Sequence, residues 1–138
     1  REAGINRLSM GAQSMNDEML LFMGRAHDKQ DFLGNFKAAR AAGFDNINVD
    51  LISAIPKQTV ESWESSVSQV ISLNPEHISA YSLIIEEETP FFEKYGEGTE
   101  GESLIPSEED EREMYHRTEE LLEEAGYHRY EISNYAKA

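Results

Sequence analysis

Cysteine is missing from this chain altogether. That absence excludes disulfides, thiolate nucleophiles and any metal centre built on cysteine sulfur from these 138 residues. Positive charge is scarce: 12 Lys and Arg face 27 Asp and Glu, a formal net charge of −15. Such a chain repels phosphates, so no nucleic-acid partner is expected. No apolar run approaches the ~20 residues that span a bilayer, so no membrane span is expected. Arg1 to Asn6 carry no signal-peptide pattern, start without Met and lead almost at once into a strand. The chain is therefore expected to be cut from something longer. With zero cysteine, a cytoplasmic location is the expectation.

What is present is an alternation of strand-like and helix-like segments. The length fits one domain by the prior of ~100–200 residues, but falls short of the roughly 250 residues of a complete eightfold βα barrel. The expected fold class is α/β, a partial TIM-like barrel of about three βα units. Asn6 to Ala12 reads as a buried strand. Asn16 caps a short helix from Asp17 to about Met23, and a second helix runs from about Asp28 to Ala42 with Phe32, Phe36 and Ala39 on one face. Asp45 to Ile52 is the second strand. Thr59 caps a third helix with a stripe of Val60, Trp63, Val67, Val70 and Ile71, and Asn74-Pro75 stops it. His77 to Ile85 reads as a parallel strand buried on both faces. Ser107 opens a capping-box-like fourth helix carrying Met114, Thr118, Leu121, Leu122 and Ala125, ended by Gly126. Tyr127 to Ser133 reads as one more short strand.

In a βα barrel the chemistry gathers at the C-terminal ends of the strands. Gln13 follows the first strand, Asp50 lies inside the second, and Glu86-Glu87-Glu88 follow the third. Sixteen of the acidic residues fall between Glu86 and Glu124, which reads as a solvated loop and helix face. His27, His77, His116 and His128 show no ligand spacing. Trp63 reads as core, and His77 lies at the end of its strand away from chemistry. Gln13, Arg25 and Asp50 remain. Gln13 offers donor and acceptor, Arg25 a planar fork for a carboxylate, and Asp50 a carboxylate that is costly to bury unpaired. Two readings stay open: a site for a zwitterionic, ribose-bearing ligand, or an Asp50–Arg25 ion pair that braces adjacent loops.

A resemblance bears on this choice. Gly4-Ile5-Asn6-Arg7-Leu8-Ser9-Met10-Gly11-Ala12-Gln13-Ser14-Met15-Asn16 resembles a strand-and-turn signature of radical S-adenosylmethionine proteins of the oxygen-independent coproporphyrinogen III oxidase family. Gly24-Arg25-Ala26-His27 and Ala42-Gly43-Phe44-Asp45-Asn46-Ile47-Asn48-Val49-Asp50-Leu51-Ile52 look like its next blocks. Pro56-Lys57-Gln58-Thr59, Leu73 to Ser79 and Tyr130 to Lys137 complete an ordered series over nearly the whole chain. The resemblance implies a (β/α)₆ barrel holding a [4Fe–4S] cluster and S-adenosylmethionine. The family's Cys-x-x-x-Cys-x-x-Cys run is absent, so residues 1–138 are expected to be the second half of that barrel, with the cluster only in the parent protein. By motif position, Gln13, Arg25 and Asp50 match residues that contact S-adenosylmethionine, and Ile84 matches a further, backbone contact. Where the family usually carries Tyr-Gly-Leu-Pro, this chain has Ser53-Ala54-Ile55-Pro56.

The family has two branches. One removes propionate carboxylates from coproporphyrinogen III by radical chemistry. The HemW-type branch is associated with haem binding and delivery, and Tyr81 to Glu86, Thr89-Pro90-Phe91 and Tyr130 to Asn134 look more like it. The expectation is a haem chaperone of the second branch; the alternatives are the oxidase itself and an isolated, non-catalytic half-barrel. Haem or a porphyrinogen would be a partner of the parent. No catalysis is expected from this chain alone, and its first strand is expected to leave an edge prone to self-association.

Overall fold

The structure is a computed structural model, and it describes residues 7–22, 28–83, 93 and 95–137. Strand β1 (Leu8–Gln13) is followed by helices α1 (Asp17–Phe22) and α2 (Lys29–Ala41). Then come β2 (Ile47–Ser53), α3 (Val60–Leu73) and β3 (His77–Ser82). A 3₁₀ turn at Glu100–Leu104 leads to α4 (Glu108–Glu124) and the strands β4 (Tyr127–Arg129) and β5 (Asn134–Lys137). The sheet order is β1-β2-β3-β5-β4. The first three strands run parallel, and the β4–β5 hairpin continues the sheet antiparallel. No described helix is long and apolar enough to cross a membrane.

The helix boundaries follow local chemistry. Asn16 Oδ1 accepts the backbone N–H groups of Glu18 and Met19, as an N-cap should. Asp28 and Asp31 form a reciprocal capping box, and so do Thr59 and Ser62. At Ser107 the side chain accepts the N–H of Asp110. Asn74 ends α3 in the left-handed region at φ 62°, and Pro75 follows it.

Period-two alternation sorts the sheet into two faces. Along β2, Ile47, Val49 and Leu51 are fully buried among Phe32, Phe36, Trp63, Val67, Val70, Met114 and Leu122 from the helices. Asn48 and Asp50 point the other way. Tyr135 of β5 and Ile78 of β3 join the apolar side. Trp63 is core, as its place in the stripe predicts: its indole Nε1 donates to Thr118 Oγ1 at 2.8 Å and to the Met114 carbonyl at 3.2 Å.

Two expectations need correction. β3 is buried on both faces only at its start, at Ile78 and Ser79; at its C-terminal end the adjacent Tyr81 and Ser82, on opposite faces, are both exposed. Residues 84 and 85 lie outside the described residues. Tyr127 to Ser133 is not one strand but the first arm of a hairpin, because residues 130–133 turn the chain back into β5.

A polar clamp closes the N-terminal ends of the strands. The Arg40 fork donates to both Glu76 oxygens, at 2.9 and 3.1 Å, and to the Phe44 and Asn74 carbonyls. Glu76 also accepts the Ile47 N–H at 2.9 Å, and Tyr127 donates to the Pro75 carbonyl. Burial pushes the Glu76 carboxyl up, but the Arg40 and Ile47 hydrogen bonds outweigh it and hold it below its ordinary 4.5. Burial, then the charge of Arg7, push His77 below its ordinary 6.5. Both groups bind a proton more readily in the unfolded chain. Stability from Glu76 is therefore complete above pH 4.5 and is lost as pH falls through its lowered value. His77 acts in the same direction from pH 6.5 downward. Relief of the net negative charge opposes both. The difference between the wild type and Arg40→Met isolates the clamp: the stability gap in urea should narrow as pH drops below 4.5. A gap constant from pH 7 to 3 would mean that Arg40 does not set the Glu76 titration.

Candidate functional site on the open face of the sheet

The face turned away from the helices is polar. Register places Ser9 beside Asn48 and Gly11 beside Asp50 on β1 and β2. Asp50 lies beside Ser79 on β3, and Ser79 beside Asn134 on β5. Hydrogen bonds join these side chains. Asn48 Nδ2 donates to Ser9 Oγ at 2.9 Å and to Asp50 Oδ1 at 2.8 Å. The Ser79 hydroxyl lies 3.1 Å from Asn48 Oδ1 and 2.6 Å from Asn134 Oδ1. Asn134 Nδ2 donates to Glu131.

Gln13 sits at the C-terminal end of β1 with φ 64°, where β1 slips register against β2. A non-glycine residue in the left-handed region costs about 1–2 kcal/mol, so surrounding contacts must hold it. They are visible. Ser66 of α3 accepts the Met15 N–H at 3.1 Å, and Ser14 Oγ accepts the Asn16 N–H. The turn after β1 is thus fastened to α3. The Gln13 amide folds back over Gly11: a Cβ at position 11 would stand 2.5 Å from Gln13 Nε2. Gln13 Oε1 is buried with no hydrogen-bond partner among the described residues. A buried acceptor left unpaired costs about 1–3 kcal/mol, which marks it as a place for an incoming donor. Asp50 is half-buried, and Asn48 engages one of its oxygens.

The arrangement therefore offers a carboxylate and an unpaired amide oxygen on neighbouring strands. That donor-poor, acceptor-rich set suits a ligand bearing hydroxyl or amine hydrogens. Of the four site residues expected from the sequence, Gln13 and Asp50 fall on this one face. Arg25 and Ile84 lie outside the described residues, as do Glu86 to Glu88, so the Asp50–Arg25 pairing is not described; among the described residues Asp50 accepts from Asn48. The sequence reading missed Asn48, Ser79, Asn134 and Glu131. The signal for the first was present: a polar residue two before Asp50 in an otherwise apolar strand shares its face.

Beyond β2 the chain turns through Ala54 at φ 61° and Lys57 at φ 64°. Ala54 is the position where the resembling family carries glycine, and it adopts the glycine-like conformation regardless. Gln58 Oε1 accepts the Ile55 N–H at 3.2 Å and helps hold this turn.

Comparisons with known proteins bear on the fold. Residues 1–70, which include Gln13, Asn48 and Asp50, match the family model described as the radical SAM superfamily. The heme chaperone HemW of Bacillus subtilis is 44% identical over 138 residues, covering 100% of this chain and 36% of that protein. The heme chaperone HemW of Synechocystis is 36% identical, covering 99% and 32%. Among solved structures, the Escherichia coli coproporphyrinogen III oxidase HemN, a radical SAM enzyme, superposes with a TM-score of 0.83 at 29% identity, covering 99% of this chain and 31% of that one. The chain spans about a third of the length of the curated relatives it matches. The parallel strands and the partial barrel are those of a known fold: this chain belongs to the radical SAM superfamily.

Proposed function

We propose that this chain forms the S-adenosylmethionine-facing part of a haem chaperone of HemW type. The observation that carries the reading is that the Gln13 amide folds over Gly11, the register partner of Asp50, with Gln13 Oε1 buried and lacking a donor among the described residues. S-adenosylmethionine brings an amine and ribose hydroxyls, which are the donors these two acceptors lack. Asp50 and Gln13 would hold them, with Arg25 on the ligand carboxylate and Ile84 as a backbone contact. When bound, S-adenosylmethionine supplies the one-electron chemistry of the family; the chain's own residues bind it and orient it. A [4Fe–4S] cluster does not fit these residues, since no cysteine thiolate is present to ligate it. Its ligands belong to the cluster-binding half of the parent barrel, and residues 1–138 alone would not catalyse.

The 44% identity to a heme chaperone, against 29% to the oxidase, favours the chaperone branch. The TM-score of 0.83 keeps the oxidase as the second reading. The test uses the full-length parent, reconstituted with iron and sulfide without oxygen, then given S-adenosylmethionine, reductant and coproporphyrinogen III. The expected outcome is no decarboxylated porphyrinogen, with haem bound on titration. Decarboxylated product would assign the oxidase reaction instead.

A further inference from the structure

The structure assigns Asn48 the role of a positioning residue that fixes the Asp50 carboxylate for the ligand, backed by Ser79. This inference rests on the reading of Asp50 as a ligand contact. Asn48 is 3% exposed and Ser79 4%, so both polar side chains are buried on a face otherwise open. Burying a primary amide is costly unless its hydrogen bonds are made. Asn48 makes them in a set that leaves its amide one orientation. Both Nδ2 hydrogens are committed, one to Ser9 Oγ at 2.9 Å and one to Asp50 Oδ1 at 2.8 Å. Its Oδ1 must then accept, and the Ser79 hydroxyl stands 3.1 Å away, its one proton shared with Asn134 Oδ1 at 2.6 Å. Turning the amide over would set oxygen against the Asp50 carboxylate. The opposite amide orientation is thus excluded by the charge it serves.

The consequence falls on Asp50. One of its oxygens is held by Asn48, and no hydrogen bond from a described residue engages the other. With Oδ1 anchored, the carboxylate cannot rotate freely, and Oδ2 is left for the ligand on the residue that pairs with Gly11, over which the Gln13 amide folds. Preorganising an acceptor in this way saves the ordering cost at the moment of binding.

A purely structural Asn48 would only stitch β1, β2 and β3 together. Apolar residues do that work on the other face of β2, at Ile47, Val49 and Leu51. The two roles separate in a double-mutant cycle. In the full-length reconstituted parent, the affinity for radiolabelled S-adenosylmethionine is measured by equilibrium dialysis for Asn48→Ala, Asp50→Ala and the double variant. Asn48→Ala alone should weaken binding on the order of tenfold, the value of a hydrogen bond to a charged group. In the Asp50→Ala background it should change affinity by less than about twofold, because the group it positions is gone. The same factor in both backgrounds, or no effect of Asn48→Ala beside a clear Asp50→Ala loss, overturns the inference. An unchanged Asp50→Ala affinity sinks the underlying reading and the inference with it. Should Asn48→Ala not fold, Ser79→Ala decides. It removes the hydroxyl that serves Asn48 Oδ1 and Asn134 Oδ1 while keeping Asn48 itself, and its loss of affinity should also vanish without Asp50.

Discussion

Trp63→Ala is expected to lose a large share of the chain's folding stability. Trp63 is 1% exposed and stands where α3 meets α4 across the apolar face of the sheet. Truncating a fully buried Trp to Ala costs about 3–5 kcal/mol, from lost burial and from the cavity left behind. Domains of this size hold only ~5–15 kcal/mol in total. The loss also strips the indole donor from Thr118 Oγ1 and from the Met114 carbonyl, which tie α3 to α4. Trp63→Phe keeps most of the packing and should cost clearly less. Far-ultraviolet circular dichroism in urea is the right readout, because Trp63 is the chain's single tryptophan and its fluorescence disappears with it. A Trp63→Ala unfolding free energy lower by less than about 1 kcal/mol would mean that α3 and α4 do not dock through this residue.

Gly11→Val should do the reverse: leave stability nearly intact and remove ligand binding. Gly11 is exposed on β1, and a β-branched residue suits a strand. Yet a Cβ there meets the Gln13 amide nitrogen at 2.5 Å. The end of a flexible side chain yields before the backbone does, so Gln13 is expelled from its place over Gly11 while the sheet persists. The added methyl groups also stand beside Asp50, its register neighbour. If Gln13 and Asp50 hold S-adenosylmethionine, its affinity in the full-length protein should fall on the order of a hundredfold, the combined loss of about two polar contacts. Dialysis against labelled ligand reads the first effect, and a urea titration reads the second. Wild-type affinity in a well-folded Gly11→Val protein would remove this face from the ligand site.

Several elements were readable residue by residue. The stripe Trp63, Val67 and Val70, the caps at Asn16 and Thr59, and the face carrying Phe32, Phe36 and Ala39 all reflect local periodicity and local hydrogen bonding. Tertiary context decided the rest. The β4–β5 hairpin escaped because three- and four-residue strands carry too little alternation to separate from a turn, and their pairing with β3 is non-local. β3 looked like a strand buried on both faces because Ile78, Ala80 and Leu83 are apolar; how far along the strand its neighbours cover it is set by segments distant in the chain.

The class of fold, the candidacy of Gln13 and Asp50, and the impossibility of ligating a cluster through thiolates were all legible in the order of residues. Those follow from residue type and period. Only the tertiary structure brought Asn48, Ser79 and Asn134 from three strands into one hydrogen-bonded row, and only it turned Gln13 back over Gly11. The reason is physical. Strand register and a left-handed residue at the end of β1 are set by packing between segments far apart in the chain, and no local pattern encodes them.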